Sequence, residues 1–318
     1  MSGNGGGQAR EHSVLLLAIL PLVGTMIVWG FTYPLSRIAV GYMGAQPAAA
    51  LRFGLATLAL LGALAIADRG RPRIPAGLGP RIALGGMLGI AGYNLLFYVG
   101  LTFAPSIDAA ALMPVASPVT TVLLAFLLGG ERLSRLRAAG LLLGVAGCVL
   151  FLAASRVDSA YPQRLLGDLM FIGASACWGT FTLMGRRLMA SAGPMRVMTW
   201  SMAAGTFILV LAALPAASAV DWQALPVEPW AITLFLGLVS TAIGYALYYR
   251  GVRDAGPTSA AIALLLLPLT GTTGAVLLLG EALVPLQVAG AVTLAVAAYL
   301  ALARAPARAA SLPTQGPR

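Results

Sequence analysis

Apolar runs of about 20 residues recur along nearly the whole chain, and a run of that length crosses the hydrocarbon core of a bilayer as a helix. They fall at 14–38, 47–67, 81–102, 107–128, 135–154, 166–189, 195–214, 230–251, 258–279 and 284–303. Short breaks carrying charge, glycine or proline separate them, such as DRGRPRIPAGLGPR at 68–81 and GGERLSR at 129–135. Lipid offers backbone N–H and C=O groups no water, so each run must satisfy its own hydrogen bonds as a helix. Charged residues make up only 9% of the chain, against about 25% in a soluble domain. The expected fold class is an all-α membrane protein with ten transmembrane helices.

The segment MSGNGGGQAREHS at 1–13 reads as a polar, disordered tail, and 304–318 as a second tail. The run from Val14 is long enough to span, so it is taken as the first transmembrane helix rather than a cleaved signal peptide. The formal charge of +10 comes entirely from arginine on the basic side. With a cytoplasmic N-terminus, sixteen of the 20 arginines fall in inner segments, Arg37, Arg156 and Arg164 fall outside, and Arg52 lies within the second span. The excess of positive charge on cytoplasmic loops therefore sets both termini inside. Because the arginines follow sidedness, a nucleic-acid partner is excluded. Cys148 and Cys177 lie within apolar runs and suggest neither a disulfide nor a metal site, and no cofactor is expected.

The chain also repeats itself. WGFTYPLSR at 29–37 and WGTFTLMGR at 178–186 lie 149 positions apart, and PVTTVLLAFLLGGE at 118–131 answers PLTGTTGAVLLLGE at 268–281 at 150. Gly140 matches Gly290, and Asn94 with Tyr98 matches Tyr245 with Tyr249 at 151. Two units of five helices follow, over 14–154 and 166–303. Five is odd, so the second unit enters the membrane from the opposite side. Inverted repeats of this kind carry a substrate site near the midplane between the halves, used by alternating access.

The Trp-Gly of the first span, LRF at 51–53, the proline inside the fourth span, GGERLS at 129–134 and its echo LGEAL at 279–283 resemble the EamA family of the drug/metabolite transporter superfamily. The resemblance covers nearly the whole chain as two units. It implies ten helices in inverted repeats and transport of small organic metabolites, often export of amino acids or related solutes in bacteria. The second copy departs from the pattern, with Thr199 and Trp200 read as standing where the first has Arg52 and Phe53.

Residues four apart share a helix face. Trp29 and Tyr33, Trp178 and Thr182, Asn94 and Tyr98, and Tyr245 and Tyr249 all have that spacing, at depths too great for the aromatic belts of the membrane surface. These eight are the candidate substrate-binding residues, with packing inside the bundle as the alternative. Pro118 and Pro268 sit about ten residues into the fourth and ninth spans and free the carbonyls of Pro114 and Leu264. They are candidate hinges, with Thr120 and Thr270 positioned to re-satisfy those carbonyls. Arg52 and Asp108 are charges within outer helix ends. An ion pair between them would neutralise both and is read as structural by preference, or Asp108 serves only as a helix N-terminal cap, with an outer gate or a carboxylate-binding arginine as the functional alternative. Glu131 and Glu281 are read as interfacial and structural, with Ser134 capping the fifth helix. Gly85, Gly89, Gly140 and Gly144 have the spacing of close helix contacts.

Enzyme chemistry lacks its usual groups. The single histidine, His12, lies in the tail, and no carboxylates pair within a span. No acid sits at mid-membrane, so a proton relay has no visible carrier, and a proton-coupled exporter of drugs or organic cations is the second reading. The arginine-, alanine- and glycine-rich composition points to a bacterial inner membrane. Beyond a small-molecule substrate and the bilayer, no partner or oligomeric state is indicated.

Overall fold

The computed structural model of the chain describes residues 5–69, 77–129, 134–154 and 161–302. All regular structure among them is helical: α1 (Gly5–Met43), α2 (Ala45–Ala67), α3 (Gly79–Phe103), α4 (Ser106–Gly129), α5 (Arg135–Ala154), α6 (Arg164–Ala192), α7 (Pro194–Ala217), α8 (Val227–Asp254), α9 (Leu266–Leu279) and α10 (Pro285–Leu302). Among the described residues seven helices, α2 to α8, are long and apolar enough to cross a membrane, and α9 and α10 are shorter apolar helices. Leu58, Leu142 and Leu277 on the outer surface are 70–74% exposed. Such a surface is unstable in water and matches lipid, so the chain is a multi-pass membrane protein.

Three features depart from plain apolar helices. The helical backbone starts at Gly5, within the stretch expected as a polar tail, because a turn added to an existing helix costs far less than a new one. Met87–Gly92 in α3 and Phe235–Ile243 in α8 are π-helical, one wide segment in the corresponding helix of each repeat. Such segments shift the side-chain register and favour functional sites. The backbone kinks at Gly256 (φ 84°, ψ 161°), just before the ninth apolar run, and that run is itself interrupted by a turn at Leu265. Pro268 thus stands in the first turn of α9, where its missing N–H has no intrahelical acceptor to lose. Pro118, by contrast, lies inside α4.

The repeats exchange contacts as a two-fold relation demands. Thr120 Oγ1 of α4 donates to the Ser175 carbonyl of α6 at 3.1 Å, and Thr270 Oγ1 of α9 donates to the Met26 carbonyl of α1 at 3.0 Å. These threonines also bond carbonyls of their own turns, at Ala116 and Leu266. They therefore clamp helices across repeats and do not serve the carbonyls of Pro114 and Leu264 as expected. Thr57 and Thr206, 149 apart, hydrogen-bond each other at 2.8 Å, which puts the symmetry axis between them. Gly44 and Gly193 end α1 and α6 with the same left-handed φ of 82°, so a single residue reverses the chain in each repeat.

α5 lies closely against α10. A Cβ on Gly290 would stand 2.7 Å from the Phe151 nitrogen, and one on Gly147 would stand 2.9 Å from the Leu294 nitrogen. Only glycine lets the two backbones meet there. Gly144 meets Val119, and Gly85 and Gly89 meet Phe181, all contacts between helices. Ser134 Oγ accepts the Arg137 N–H at the start of α5. Glu281 carries a structural role: it accepts the backbone N–H groups of Ser106 and Ile107, at 3.1 and 2.7 Å, and caps α4 from the other repeat. Glu131 lies outside the described residues.

Candidate functional site

Between the repeats lies a cavity of about 300 Å³, lined by α1, α2, α3, α4, α6, α8 and the start of α9. That volume is at the lower end of small-molecule sites, roughly 300–1,000 Å³. Of the eight candidate substrate residues, Trp29, Tyr33, Asn94, Trp178, Thr182 and Tyr245 line it. Tyr98 stands behind the wall, fully buried, in contact with Ser36 and Arg52. Tyr249 stacks on Tyr245 at 6.5 Å and donates to Met189 Sδ.

Aromatic rings form most of the wall. Tyr245 stands between the two tryptophans, edge-on to Trp29 at 5.2 Å and stacked on Trp178 at 6.5 Å. Trp178 continues to Tyr93 at 5.5 Å, Tyr93 to Phe97 at 6.5 Å, and Phe97 to Tyr33 at 5.8 Å. Edge-on and offset pairs hold each ring in one orientation, and their faces suit flat apolar groups or a cation.

The π-helical segment of α8 supplies the polar part. Trp29 Nε1 donates to the Ser240 carbonyl at 2.8 Å, and Thr32 Oγ1 meets Ser240 Oγ at 2.6 Å. Thr241 Oγ1 donates to the Leu236 carbonyl five residues back, and accepts Arg52 Nε at 3.0 Å. Arg52 Nη1 reaches the Tyr98 hydroxyl at 3.4 Å. Asn94 Nδ2 donates to the Ile90 carbonyl at 2.8 Å, while its buried Oδ1 has no partner. Pro114 and Pro118 of α4 also line the cavity; Pro268 and Asp108 do not.

The expected Arg52–Asp108 pair is not formed. Asp108 is held instead by Arg164, Nε to Oδ2 at 2.6 Å and Nη2 to Oδ1 at 2.8 Å, and by Gln287 Nε2 at 3.0 Å. Asp168 lies beside it, and all four side chains are buried. The reason is positional: Arg164 opens α6, which packs along α4, and its planar fork fits a carboxylate with two parallel bonds. Arg52 faces the other way, into the repeat interface.

The register of the second repeat is also corrected. A Cβ on Gly237 would meet the Arg52 carbonyl, and one on Gly86 would meet the Ser201 carbonyl. Ser201, not Thr199, therefore occupies the position of Arg52, and its hydroxyl donates to the Ile82 carbonyl. Thr199 is fully buried, and Trp200 packs with Ile82, Leu188 and Val197. Among the described residues, only the first repeat brings a cation to the cavity wall.

Tyr93, Phe97, Thr32, Ser240 and Ser117 also line the cavity and were absent from the sequence-based set. Tyr93 and Phe97 follow a π-helical segment, which rotates the register that four-residue spacing assumes. The Ser240–Thr241 pair inside the eighth apolar run was a usable signal. The buried lining includes Tyr33, Arg52, Phe53, Phe97 and Met113, whereas Thr182 and Leu265 are exposed. Thr182 and Val122 lie toward the far ends of α6 and α4, away from the Asp108–Arg164 cluster that joins their starts. The cavity is closed at the cluster end and open at the other.

Two exchanged helical repeats around a one-ended aromatic cavity in a lipid-facing bundle define a membrane transporter. The chain belongs to the EamA-like transporter family, which matches residues 16–153 and 165–303. It is 29% identical to a probable terminal-alkyne amino-acid exporter of Streptantibioticus cattleyicolor, over 86% of this chain and 89% of that one. It is 26% identical to the threonine/homoserine exporter RhtA of Escherichia coli K12, over 88% and 89%, and 25% identical to the uncharacterized transporter YyaM of Bacillus subtilis, over 78% and 81%. A crystal structure at 21% identity superposes with a TM-score of 0.60 over 94% of this chain and 99% of that one, which speaks for the fold alone.

Proposed function

We propose that the chain exports small organic metabolites, amino acids or related solutes, from the cytoplasm across a bacterial inner membrane. The observation that carries this reading is the closed-ended cavity between the repeats, with polar groups at Asn94, Arg52 and the π-helical segment of α8 set in a mainly aromatic and aliphatic wall. The amino-acid exporters among the relatives support the substrate class.

In this reading the chain crosses the membrane ten times as two inverted five-helix units, with both termini cytoplasmic. The starts of α4, α6 and α10 then lie on the outer side, and the open end of the cavity faces the cytoplasm. Trp29, Tyr33, Asn94, Trp178, Thr182 and Tyr245 contact the substrate, with Tyr98 and Tyr249 supporting them from behind. Rocking of one repeat against the other opens the outer end. Pro118, inside α4, and the break before Pro268 are the hinges, and the Asp108–Arg164 cluster ties the outer end while it is shut.

The test is uptake into proteoliposomes of labelled threonine, homoserine and aromatic amino acids, with and without a pH gradient. Saturable flux of at least one supports the reading. Flux of none, with the protein correctly inserted, refutes it. Flux that requires the gradient would favour the proton-coupled reading, which no mid-membrane acid in the cavity wall now supports.

A further inference from the structure

We infer that Arg52 anchors the carboxylate of the cargo, so that the transporter selects small monocarboxylates and rejects the corresponding amines and amides. This rests on the transport reading of the cavity.

Arg52 lines the cavity and is only 8% exposed. Its hydrogen-bond partners are two neutral oxygens, Thr241 Oγ1 and the Tyr98 hydroxyl, its guanidinium carbon lies 4.9 Å from the centre of the Phe53 ring, and among the described residues no carboxylate pairs with it. Guanidinium remains charged at any physiological pH, and a cation buried within a bilayer without a counter-charge is costly. The acids that lie in the spans are committed elsewhere: Asp108 binds Arg164 and Gln287. Nε and one Nη1 hydrogen are in use, which leaves Nη2 and the second Nη1 hydrogen. That edge has the geometry for two parallel bonds to a carboxylate. An incoming anion thus supplies the charge that the protein lacks.

The rest of the wall fits the same cargo. Asn94 Oδ1, a buried acceptor with no partner, takes an ammonium hydrogen. The rings of Trp29, Trp178 and Tyr245 pack the side chain or meet the ammonium group. An organic cation without a carboxylate would face Arg52 as a like charge.

Arg52 also joins the repeats. Through Thr241 it holds the π-helical segment of α8 in the second repeat, and through Tyr98 it holds α3 in the first. Binding of a carboxylate at this point changes the charge balance at the closed end of the cavity, where the repeats must part for release.

The experiment uses the full chain in nanodiscs and the quenching of its tryptophan fluorescence, since Trp29 and Trp178 line the site. The probes are L-threonine, L-norleucine and L-phenylalanine, each paired with its carboxamide, which keeps the side chain and ammonium group and removes the anion. In the wild type at least one acid is expected to bind, and its amide to bind at least about tenfold more weakly. Arg52→Gln should bind acid and amide alike, and Arg52→Lys should keep part of the preference. Amides binding as tightly as acids to the wild type overturns the assignment without needing any variant, and so does a full acid preference in Arg52→Gln. Equal transport of amides leaves the transport reading standing while Arg52 falls. If proteoliposomes carry neither acids nor amides, both readings fall together. Where Arg52→Gln does not fold, Arg52→Lys and the wild-type pairs decide.

Discussion

Replacing Arg164 by leucine should be among the most destabilising single changes in this protein. Asp108 is 0% and the Arg164 side chain 6% exposed, and two short bonds join them. Without the guanidinium, Asp108 keeps its bond from Gln287 Nε2 but loses its cationic partner. Breaking a buried pair by removing one partner costs about 3–5 kcal/mol, because the other charge is left uncompensated. At about 1.5 °C per kcal/mol for a chain of 318 residues, the melting temperature should fall by about 5–8 °C. Thermal unfolding in nanodiscs, followed by intrinsic fluorescence, measures it. Arg164→Leu combined with Asp108→Asn should recover part of the loss, since the stranded charge is gone. Recovery stays partial because Asp168 remains beside the site. A single variant within about 1 kcal/mol of wild type, or a double variant less stable than the single, would show that the cluster is not a mutually compensated charge network.

Gly30→Ala would set a Cβ 2.1 Å from Thr270 Oγ1 and 2.8 Å from the Gly271 nitrogen. It should cost about 1–3 kcal/mol by forcing α1 from α9, whereas Gly62→Ala, with nothing within 4 Å, should melt like wild type. Glu281→Ala removes the acceptor for the Ser106 and Ile107 N–H groups and should cost about 0.5–2 kcal/mol in the same melts. Trp178→Ala should reduce substrate flux by about five- to thirtyfold, as expected from the loss of about 1–2 kcal/mol of ring contact, while the protein still folds; unchanged flux removes Trp178 from the site. Asp68, at the end of α2, is held below the usual aspartate range by its hydrogen bond to Arg196 of α7. A lowered folded-state value means the contact stabilises above the unfolded value of about 3.9. Its contribution fades as pH falls through the lowered one. Asp68→Asn should therefore differ from wild type in melting temperature at pH 7 and converge with it as acidification protonates Asp68 in the folded state.

Much of the architecture was legible because each membrane helix must satisfy its own backbone, so apolar length alone locates it. Duplication was legible for the same reason: Trp29 and Trp178, or Pro118 and Pro268, keep their spacing when helices are copied whole. Six of the eight candidate cavity residues came together because depth and four-residue spacing are properties of a straight helix. Where helices depart from that geometry, the reading slipped. The π-helical segments of α3 and α8 brought Tyr93, Phe97 and Ser240 to the wall, and the break before Pro268 took a proline expected at mid-helix to a helix start.

Partner choice among the buried charges belonged to the tertiary structure alone. From sequence, Arg52 and Asp108 were two costly charges at the same depth, and pairing them was economical. Depth along the membrane normal is written in the order of residues, but azimuth around the bundle depends on how the helices pack. That packing gave Asp108 to Arg164 and left Arg52 facing the cavity between the repeats, an arrangement no single helix encodes.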